Sequence, residues 1–394
     1  MKPITLTGLE NLCRSPLKLP KDCKIGLLAN PASVDSKFRH AARLIKDLYP
    51  GQLKALFSPQ HGFHAEKQDN MVESDHTMDP ELDIPVFSLY SNTRKPTKEM
   101  MDAIDLLMID IQDVGTRVYT FIYTISYCLE AAAQYGKSVV ILDRPNPVGG
   151  VQVEGNILAE SCASFVGRYP IPMRHGLTVG EIALLFNANY GINADLTVVP
   201  MENWTRDMYF TDTQLPWIPP SPNLPTPASA MVYPGQVIFE GTNISEGRGT
   251  TQPFEVFGAP FIDTAQILTN LTKLKRRISG AVLRPLCFQP CSGKWENQVC
   301  QGFQIHITSP ETYRPYRTSL VLLQQILQLH PDFFQWKEPP YEYEYHRRPM
   351  DFILGDEHLA DQLGELNGID ALEASWKGPV AEFKTMSGEF LLYG

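Results

Sequence analysis

Polar side chains follow four short apolar runs in the first 150 residues. They are Asn30 at the end of the run 24–30, Gln60 and His61 after 53–59, Asp110, Asp113 and Arg117 at and beyond the end of 105–111, and Asp143, Arg144 and Asn146 at and beyond the end of 138–143. Carboxyl and imidazole groups can exchange protons, and amide and guanidinium groups can bind hydroxyls and carboxylates. This mixture indicates a functional site.

Each segment also has a purely structural interpretation. Asp113 and Arg117 are spaced as an i,i+4 surface pair of a helix. Asp143 and Arg144 could form a salt bridge within a turn, and His61 could be a hydrogen-bonded support. One shared pocket explains all four segments at once, whereas the structural interpretation needs a separate reason for each. We therefore expect one pocket.

A second polar cluster lies where the sequence is rich in proline and glycine. It contains Asn223 and the stretch 240–251, which includes Asn243, Glu246 and Arg248. Glycines let the backbone approach a ligand, and hydroxyl and amide groups suit sugar hydroxyls. The stretch matches neither GxxxxGK[ST] nor a GxGxxG motif after a strand, so it gives little support to nucleotide binding.

The elements that must position these residues alternate between strands and helices. Strands are predicted at 24–30, 53–59, 85–90, 105–111, 138–143 and 195–200, and helices at 36–49, from Pro96-Thr97, at 118–135 and at 178–190. This alternation predicts an α/β fold with a Rossmann-like parallel sheet. Ligands bind beyond the carboxyl ends of such strands, so residues near 60, 113, 144 and 248 are expected to share one hollow.

The rest of the chain predicts a second, smaller α/β unit. Residues 212–260 are expected to form an extended crossing loop without a helix, because each proline removes a backbone donor. Helices are predicted at 263–277 and 315–330, and strands at 281–288 and 301–308. We expect a Rossmann-like domain at 1–235 and an auxiliary C-terminal domain at 236–394.

Composition narrows the functional classes. The 394 residues are 43% hydrophobic and 20% charged, and the net charge of −10 disfavours nucleic acid as a partner. No apolar window reaches the ~20 residues of a membrane span, and the N-terminus lacks a secretion signal, so we expect a cytoplasmic protein. The seven cysteines form no CxxC pair, and the spacing of His61, His64 and Glu66 is not a diagnostic zinc pattern. We expect neither a metal nor a cofactor, and predict no particular oligomeric state.

Seven long strings resemble one family. They are SPQHGF (58–63), DIQDVGTRVYTFIYT (110–124), LDRPNPVGG (142–150), VEG (153–155), YPIPMRHGLTVGE (169–181), PSPNLPT (220–226) and EGTNISEGRGTTQPFEVFGAP (240–260). They resemble the NamZ-type exo-β-N-acetylmuramidases. The resemblance implies a cleft between two α/β domains that releases N-acetylmuramic acid from the non-reducing end of peptidoglycan fragments, a step of cell wall recycling, without nucleotide or metal.

The resemblance also implies roles for single residues. Arg117, Arg144 and Arg248 would hold the lactyl carboxylate of the sugar. The other residues expected to bind the saccharide are Asn30, Tyr119, Asp143, Asn146, Asn223, Asn243 and Glu246.

One position departs from the family pattern. The family has Pro-Glu-His-Gly, with that glutamate proposed as the catalytic acid, whereas this chain has Gln60 before His61. Glutamine cannot give a proton to a leaving oxygen. Either Glu66, Asp110 or Asp113 supplies the proton, or Gln60 orients the N-acetyl group of the substrate while His61 or a carboxylic acid protonates the leaving oxygen. The remaining alternative is a sugar-binding relative with little turnover.

Overall fold

A seven-stranded sheet forms the centre of the computed structural model, which describes residues 3–68, 71–273, 278–365 and 369–394. The strands of the chain are β1 (Ile25–Ala29), β2 (Leu53–Ser58), β3 (Thr77–Asp79), β4 (Ile84–Ser88), β5 (Leu106–Asp110), β6 (Ser138–Leu142), β7 (Glu154–Ile157), β8 (Pro172–Arg174), β9 (Asp195–Val199), β10 (Val256–Ala259), β11 (Ala281–Phe288) and β12 (Cys300–Ile307). The large sheet has the order β3-β4-β2-β1-β5-β6-β9. Only β3 pairs antiparallel to its neighbour.

The six parallel strands follow the Rossmann order. Numbered along the chain, they lie in the order three, two, one, four, five, six, so the order reverses between β1 and β5. Every residue of β1 and β5 is buried, as continuous apolar runs in a parallel sheet require. The predicted fold class is confirmed.

Helices cover the sheet and build the second unit. They are α1 (Gly8–Arg14), α2 (Ala41–Leu48), α3 (Lys98–Asp102), α4 (Phe121–Tyr135), α5 (Val179–Asn189), α6 (Pro227–Gln236), α7 (Thr264–Lys273), α8 (Pro315–Leu329), α9 (Pro349–Leu354), α10 (Leu359–Glu365) and α11 (Asp370–Gly388). The two central ones have clear sequence boundaries. Gly136 ends α4 in the left-handed conformation, and Thr178 with Glu181 forms a capping box at the start of α5.

All six predicted strands are present, and the differences lie at the edges of the sheet. The helix predicted over 36–49 begins only at Ala41, because the His40 side chain accepts a hydrogen bond from the Ala42 backbone and caps it. The short antiparallel strand β3 was not predicted. Its three residues are exposed or partly exposed and carry no buried-strand signal.

The expectation that 212–260 contains no helix is wrong. Helix α6 lies in this segment, and all its residues from Ser229 to Gln236 are buried. Pro227 occupies the first turn, where no backbone donor is needed, and Pro234 lies close to the C-terminal end. Packing of α6 against α8 therefore outweighs the local cost of the prolines.

The C-terminal unit contains an antiparallel sheet of order β10-β12-β11. The strands β11 and β12 and the starts of helices α7 and α8 were predicted. Residues 274–277, the end of the predicted helix 263–277, lie outside the described residues. Helices α9, α10 and α11 were not predicted. One hydrophobic core joins Leu28 and Phe57 of the large sheet to Phe303 and Leu322 of this unit. The boundary at 235/236 stays a prediction.

Candidate active site

A polar hollow lies at the carboxyl edge of the large sheet, where the C-terminal unit contacts it. Its cavity volume is about 30 Å³, and it is lined by Gln60, His61, Val118, Tyr119, Thr120, Phe121, Val166, Ser221, Asn223, Leu224, Tyr233, Glu240, Arg248, Phe254, Tyr341 and Glu342. These residues come from the loops after β2 and β5, from the proline-rich crossing, and from a loop between α8 and α9. The N-terminal sheet and the C-terminal unit therefore build the hollow together.

Three residues that line the hollow have a left-handed backbone. The φ angles of His61, Phe254 and Glu342 are 75°, 63° and 47°. Non-glycine residues rarely adopt this conformation, and it persists only where surrounding contacts hold it, as at many functional sites. The wall of the hollow is therefore held in a fixed shape.

The amide of Gln60 is fully engaged by neighbouring side chains. Thr120 precedes α4, and instead of capping that helix its hydroxyl donates to Gln60 Oε1 at 2.6 Å. Gln60 Nε2 donates to the Tyr90 hydroxyl at 3.1 Å and to Glu342 Oε1 at 3.0 Å. Gln60 therefore positions Glu342.

Glu342 is a buried carboxyl held by neutral groups. Besides Gln60, the Tyr90 hydroxyl donates to its Oε2 at 2.7 Å, and no ion pair to Glu342 occurs in the part of the chain that the structure describes. Burial, with a smaller contribution from the charge of Glu240, raises the pKa of Glu342, although its two hydrogen bonds act in the opposite direction. Such a carboxyl retains its proton at a higher pH than usual, which suits a general acid.

Glu240 is a second carboxyl at the hollow, and its environment is charged. Arg248 Nη2 lies 2.7 Å from Glu240 Oε1, and the Tyr341 hydroxyl donates to Oε2 at 2.8 Å. Arg248 also lies 3.2 Å from Glu246, which pairs with Lys294 at 2.8 Å. Burial alone would lower the pKa of Arg248, but Glu240 and Glu246 raise it above its usual value. This alternating chain of charges fixes the position of the Glu240 side chain.

Asp110 and Asp143 do not line this hollow, and with Asp113 and Arg144 they form what we call the strand-end cluster. Arg144 binds Asp110 at two points, through Nε and through Nη2 at 2.9 Å, and lines a separate smaller hollow. Asp143 accepts hydrogen bonds from Thr178, Gly180 and Tyr393, with donor–acceptor distances of 2.6–2.8 Å. Asp110 and Asp143 therefore connect the ends of β5 and β6 to neighbouring segments of the chain.

Asp113 is the least satisfied member of the strand-end cluster. Its Oδ2 accepts from the Gly115 backbone at 2.6 Å and lies 4.0 Å from His175 Nε2, while its buried Oδ1 has no hydrogen-bond partner among the described residues. Burial raises the pKa of Asp113 to about 7 and lowers that of His175 to about 3. His175 is therefore neutral at pH 7, whereas Asp113 titrates near that pH.

The remaining predicted residues outside the hollow have structural contacts or are exposed. Arg117 is fully buried and donates to the carbonyls of Asn156, Ile171, Ile353 and Leu354. The amides of Asn30, Asn146 and Asn243 donate to the backbone carbonyls of Gln112, Leu177 and Phe333. Glu66 is exposed, with its carboxyl beside Gly62.

Of the predicted site residues, the structure brings five to the hollow: Gln60, His61, Tyr119, Asn223 and Arg248. His61 Nδ1 lies 2.8 Å from the carbonyl of Lys67. The predicted sharing of one hollow therefore holds for the segments near 60 and 248, while those near 113 and 144 lie apart.

Two carboxyls of the hollow were missed by the sequence analysis. Glu240 is the first residue of the glycine-rich string. It could have been found there, because Arg248, with which it forms an ion pair, lies in the same stretch. Glu342 lies in the aromatic-rich segment YEYEYHRRP and is 282 residues from Gln60, so no spacing signal connects the two.

The described residues show neither a metal-binding cluster nor a membrane-spanning helix. Across the described residues, no group of three or more His, Cys, Asp or Glu side chains is arranged to hold a metal ion. No helix within the same residues has the length and apolar character needed to cross a membrane.

The fold and the hollow define a class of two-unit α/β proteins in which a Rossmann-type sheet and a C-terminal unit enclose a pair of buried carboxyls. The family model described as "Exo-beta-N-acetylmuramidase NamZ, N-terminal" matches residues 25–228, and that described as "Exo-beta-N-acetylmuramidase NamZ, C-terminal" matches residues 231–393. The chain therefore belongs to the NamZ family.

Three individual proteins are similar to this chain over nine-tenths or more of their length. The chain is 40% identical, over 392 residues, to the peptidoglycan beta-N-acetylmuramidase NamZ of Bacillus subtilis, covering 100% of this chain and 92% of that protein. Two crystal structures of DUF1343 family proteins from Bacteroides fragilis are also similar. Their TM-scores are 0.87 and 0.77 at 32% and 30% identity, and each match covers 99% of both chains.

Proposed function

We propose that this protein is an exo-acting glycoside hydrolase that releases N-acetylmuramic acid from the non-reducing end of peptidoglycan fragments. The observation that carries the proposal is the pair of differently held carboxyls, Glu342 and Glu240, in one hollow. Glycoside hydrolysis needs one carboxyl that donates a proton and one that is ionised. The name of the Bacillus subtilis relative supports the same reaction and does not favour the sugar-binding alternative.

Glu342 is the proton donor in this proposal, and it takes the role that Gln60 cannot fill. A carboxyl group offers about four lone-pair positions, and the hydrogen bonds from Gln60 and Tyr90 use two. The proton can therefore occupy a position open to the hollow. Donation to the glycosidic oxygen as its bond to the sugar breaks avoids an unstable leaving alkoxide.

Glu240 is the ionised partner. Its carboxylate can stabilise the positive charge that develops on the sugar ring, and can activate the water or bind the ring carbon. Arg248 and Tyr341 fix both oxygens of Glu240 in place. Gln60 is a positioning residue, since both hydrogens of its amide already bind Tyr90 and Glu342.

The polar residues opposite the two carboxyls suit a saccharide. Ser221, Asn223 and Tyr119 line the hollow and offer hydroxyl and amide groups for sugar hydroxyls, and Phe121 and Phe254 offer apolar surface. We also propose a cytoplasmic role in cell wall recycling. In support, all seven cysteines lie within the described residues and carry free thiols, as is typical of a reducing compartment.

A chromogenic β-N-acetylmuraminide tests the proposal. The wild-type protein should release the chromophore. With a disaccharide that ends in N-acetylmuramic acid, whose leaving group is poor, Glu342→Gln should lower kcat by about 10³-fold, because a general acid contributes roughly 10²–10⁴-fold. Glu344→Gln is the matched control, since that residue lies two positions further along and pairs with Arg347 outside the hollow. Unchanged activity of Glu342→Gln would contradict the assignment. Sugar binding without release by the wild type would instead support the non-catalytic alternative.

Substitution of Gln60 by glutamate tests how the acid is positioned. In Gln60→Glu, two carboxyls share one site, and repulsion between two negative charges makes the pair retain one proton to higher pH. The variant should stay active, and its alkaline limb in a plot of kcat/KM against pH should move upward. An unmoved alkaline limb would show that Glu342 is not coupled to position 60, and a downward movement would contradict the repulsion between the two carboxyls.

A further inference from the structure

Arg94 lies beside Glu342 in the loop that follows β4, and aromatic rings surround it. Its guanidinium carbon is 4.1 Å from the centre of the Tyr90 ring, 4.3 Å from that of Tyr343 and 5.4 Å from that of Phe165. The side chain is partly exposed. Such stacking orients a guanidinium group and removes part of its hydration, which strengthens its binding to anions.

The same rings connect Arg94 to the hollow. The Tyr90 hydroxyl donates to Glu342 at 2.7 Å, Tyr343 is the next residue after Glu342, and Phe165 precedes Val166, which lines the hollow. Glu342 and Tyr343 have φ angles of 47° and 68°, so the backbone that carries this wall is held in an unusual conformation. Arg94 therefore lies at the edge of the candidate active site.

Arg94 differs from the other cations near the hollow in its charged partners. Arg248 pairs with Glu240 and Glu246, and Lys294 pairs with Glu246, whereas no carboxylate in the described part of the chain forms an ion pair with Arg94. Its Nη1 donates to the carbonyl of Ser91 at 2.7 Å, which uses one of five N–H donors. A cation with remaining donors at the edge of a saccharide site suits an acidic sugar.

We propose that Arg94 binds the lactyl carboxylate of N-acetylmuramic acid and makes the site selective for this acidic sugar over a neutral N-acetylhexosamine. This inference rests on the proposed function. The three arginines predicted for this role are already engaged, since Arg117 donates to backbone carbonyls, Arg144 binds Asp110 and Arg248 binds Glu240. Arg94 forms no ion pair among the described residues, so its guanidinium group can bind a carboxylate bidentately.

The test compares a chromogenic β-N-acetylmuraminide with its uncharged methyl ester. Arg94→Gln should raise KM for the acidic substrate about 10- to 100-fold, because a charged hydrogen bond contributes roughly that factor, and should leave kcat within about threefold. The methyl ester should be hydrolysed with unchanged KM. Arg94→Lys, which keeps the charge, should give an intermediate KM. The control is Arg168→Gln, since Arg168 also stacks on tyrosine, 3.7 Å from the Tyr127 ring, but pairs with Glu130 and not with the rings beside Glu342.

Two results would overturn the proposal. Equal losses on both substrates would show that Arg94 acts through Glu342 or the fold, and unchanged KM values would show that it does not bind the substrate. If the wild type hydrolyses neither substrate, the proposed function fails, and calorimetry with N-acetylmuramic acid and its methyl ester decides the inference separately. A preference for the acid that is lost in Arg94→Gln supports it, and no preference contradicts it.

Discussion

The hollow and the strand-end cluster both contain buried carboxyls at the carboxyl edge of one sheet, and they differ in what surrounds those carboxyls. In the strand-end cluster, Asp110 is bound at two points by Arg144, and Asp143 has several donors. In the hollow, Glu342 has two neutral donors, no ion pair among the described residues, and a left-handed backbone. Asp110 and Asp143, which are held by an arginine or by several donors, stabilise the fold, whereas Glu342, which is held only by neutral groups at the hollow, is available for chemistry.

The largest expected effect depends on the leaving group. Glu342→Gln should lower kcat by about 10³-fold or more for a disaccharide, but much less for a dinitrophenyl glycoside, because a good leaving group needs no proton. Asp110→Asn should show the same small change with both substrates once corrected for the folded fraction. Steady-state rates on the two substrates measure this. An equal loss in Glu342→Gln on both would remove the distinction between the two regions.

The free energy of unfolding should depend more on Asp110 than on Glu342, in contrast to kcat. Asp110→Asn leaves the Arg144 guanidinium buried without its partner, so the free energy of unfolding should fall by about 3–5 kcal/mol. Glu342→Gln removes no ion pair and should change it by less than about 1 kcal/mol. Urea unfolding followed by circular dichroism gives both values. A larger loss in Glu342→Gln would indicate that Glu342 is structural.

Asp113 should make stability depend on pH. Because burial raises its pKa from 3.8 to about 7, the folded state binds this proton more tightly than the unfolded chain. The free energy of unfolding should therefore fall as pH rises from about 4 to about 7, by up to about 4 kcal/mol. Asp113→Asn should remove that contribution. Asp143 and Glu154, with pKa values raised to about 6 and 7, are present in both proteins and cancel in the comparison. Parallel pH profiles of wild type and variant would contradict this.

The smallest effect is expected at Glu66. This residue was a candidate acid in the sequence, but its side chain is exposed and outside the hollow. Glu66→Gln should change kcat/KM by less than about twofold, because solvent screens an exposed charge. A loss comparable to that of Glu342→Gln would move the catalytic acid to the loop after β2.

The sheet was predictable because its signals are local. The runs around β1 and β5 are apolar throughout, as a strand covered on both faces requires, and the turns after them are polar. Helix α6 was missed because its stability comes from packing against α8, which outweighs the two prolines that argue against it.

The candidate site was only partly predictable, because proximity in space is set by tertiary contacts. Gln60, Tyr119 and Arg248 were found as polar residues after strands or in a glycine-rich stretch. The same reasoning selected Asp110 and Arg144, since a strand-end carboxyl that binds an arginine and one that binds a ligand have the same local sequence. Glu342 depends on the folding of the C-terminal unit onto the sheet.

The most direct measurement is a crystal structure of the protein bound to a non-hydrolysable thio-linked disaccharide that ends in N-acetylmuramic acid. We expect the bridging sulfur within hydrogen-bond reach of Glu342, about 3–3.5 Å away, with Glu240 facing the ring carbon. A sugar bound against Asp110 or Asp113, with Glu342 turned away from the bridging atom, would contradict it.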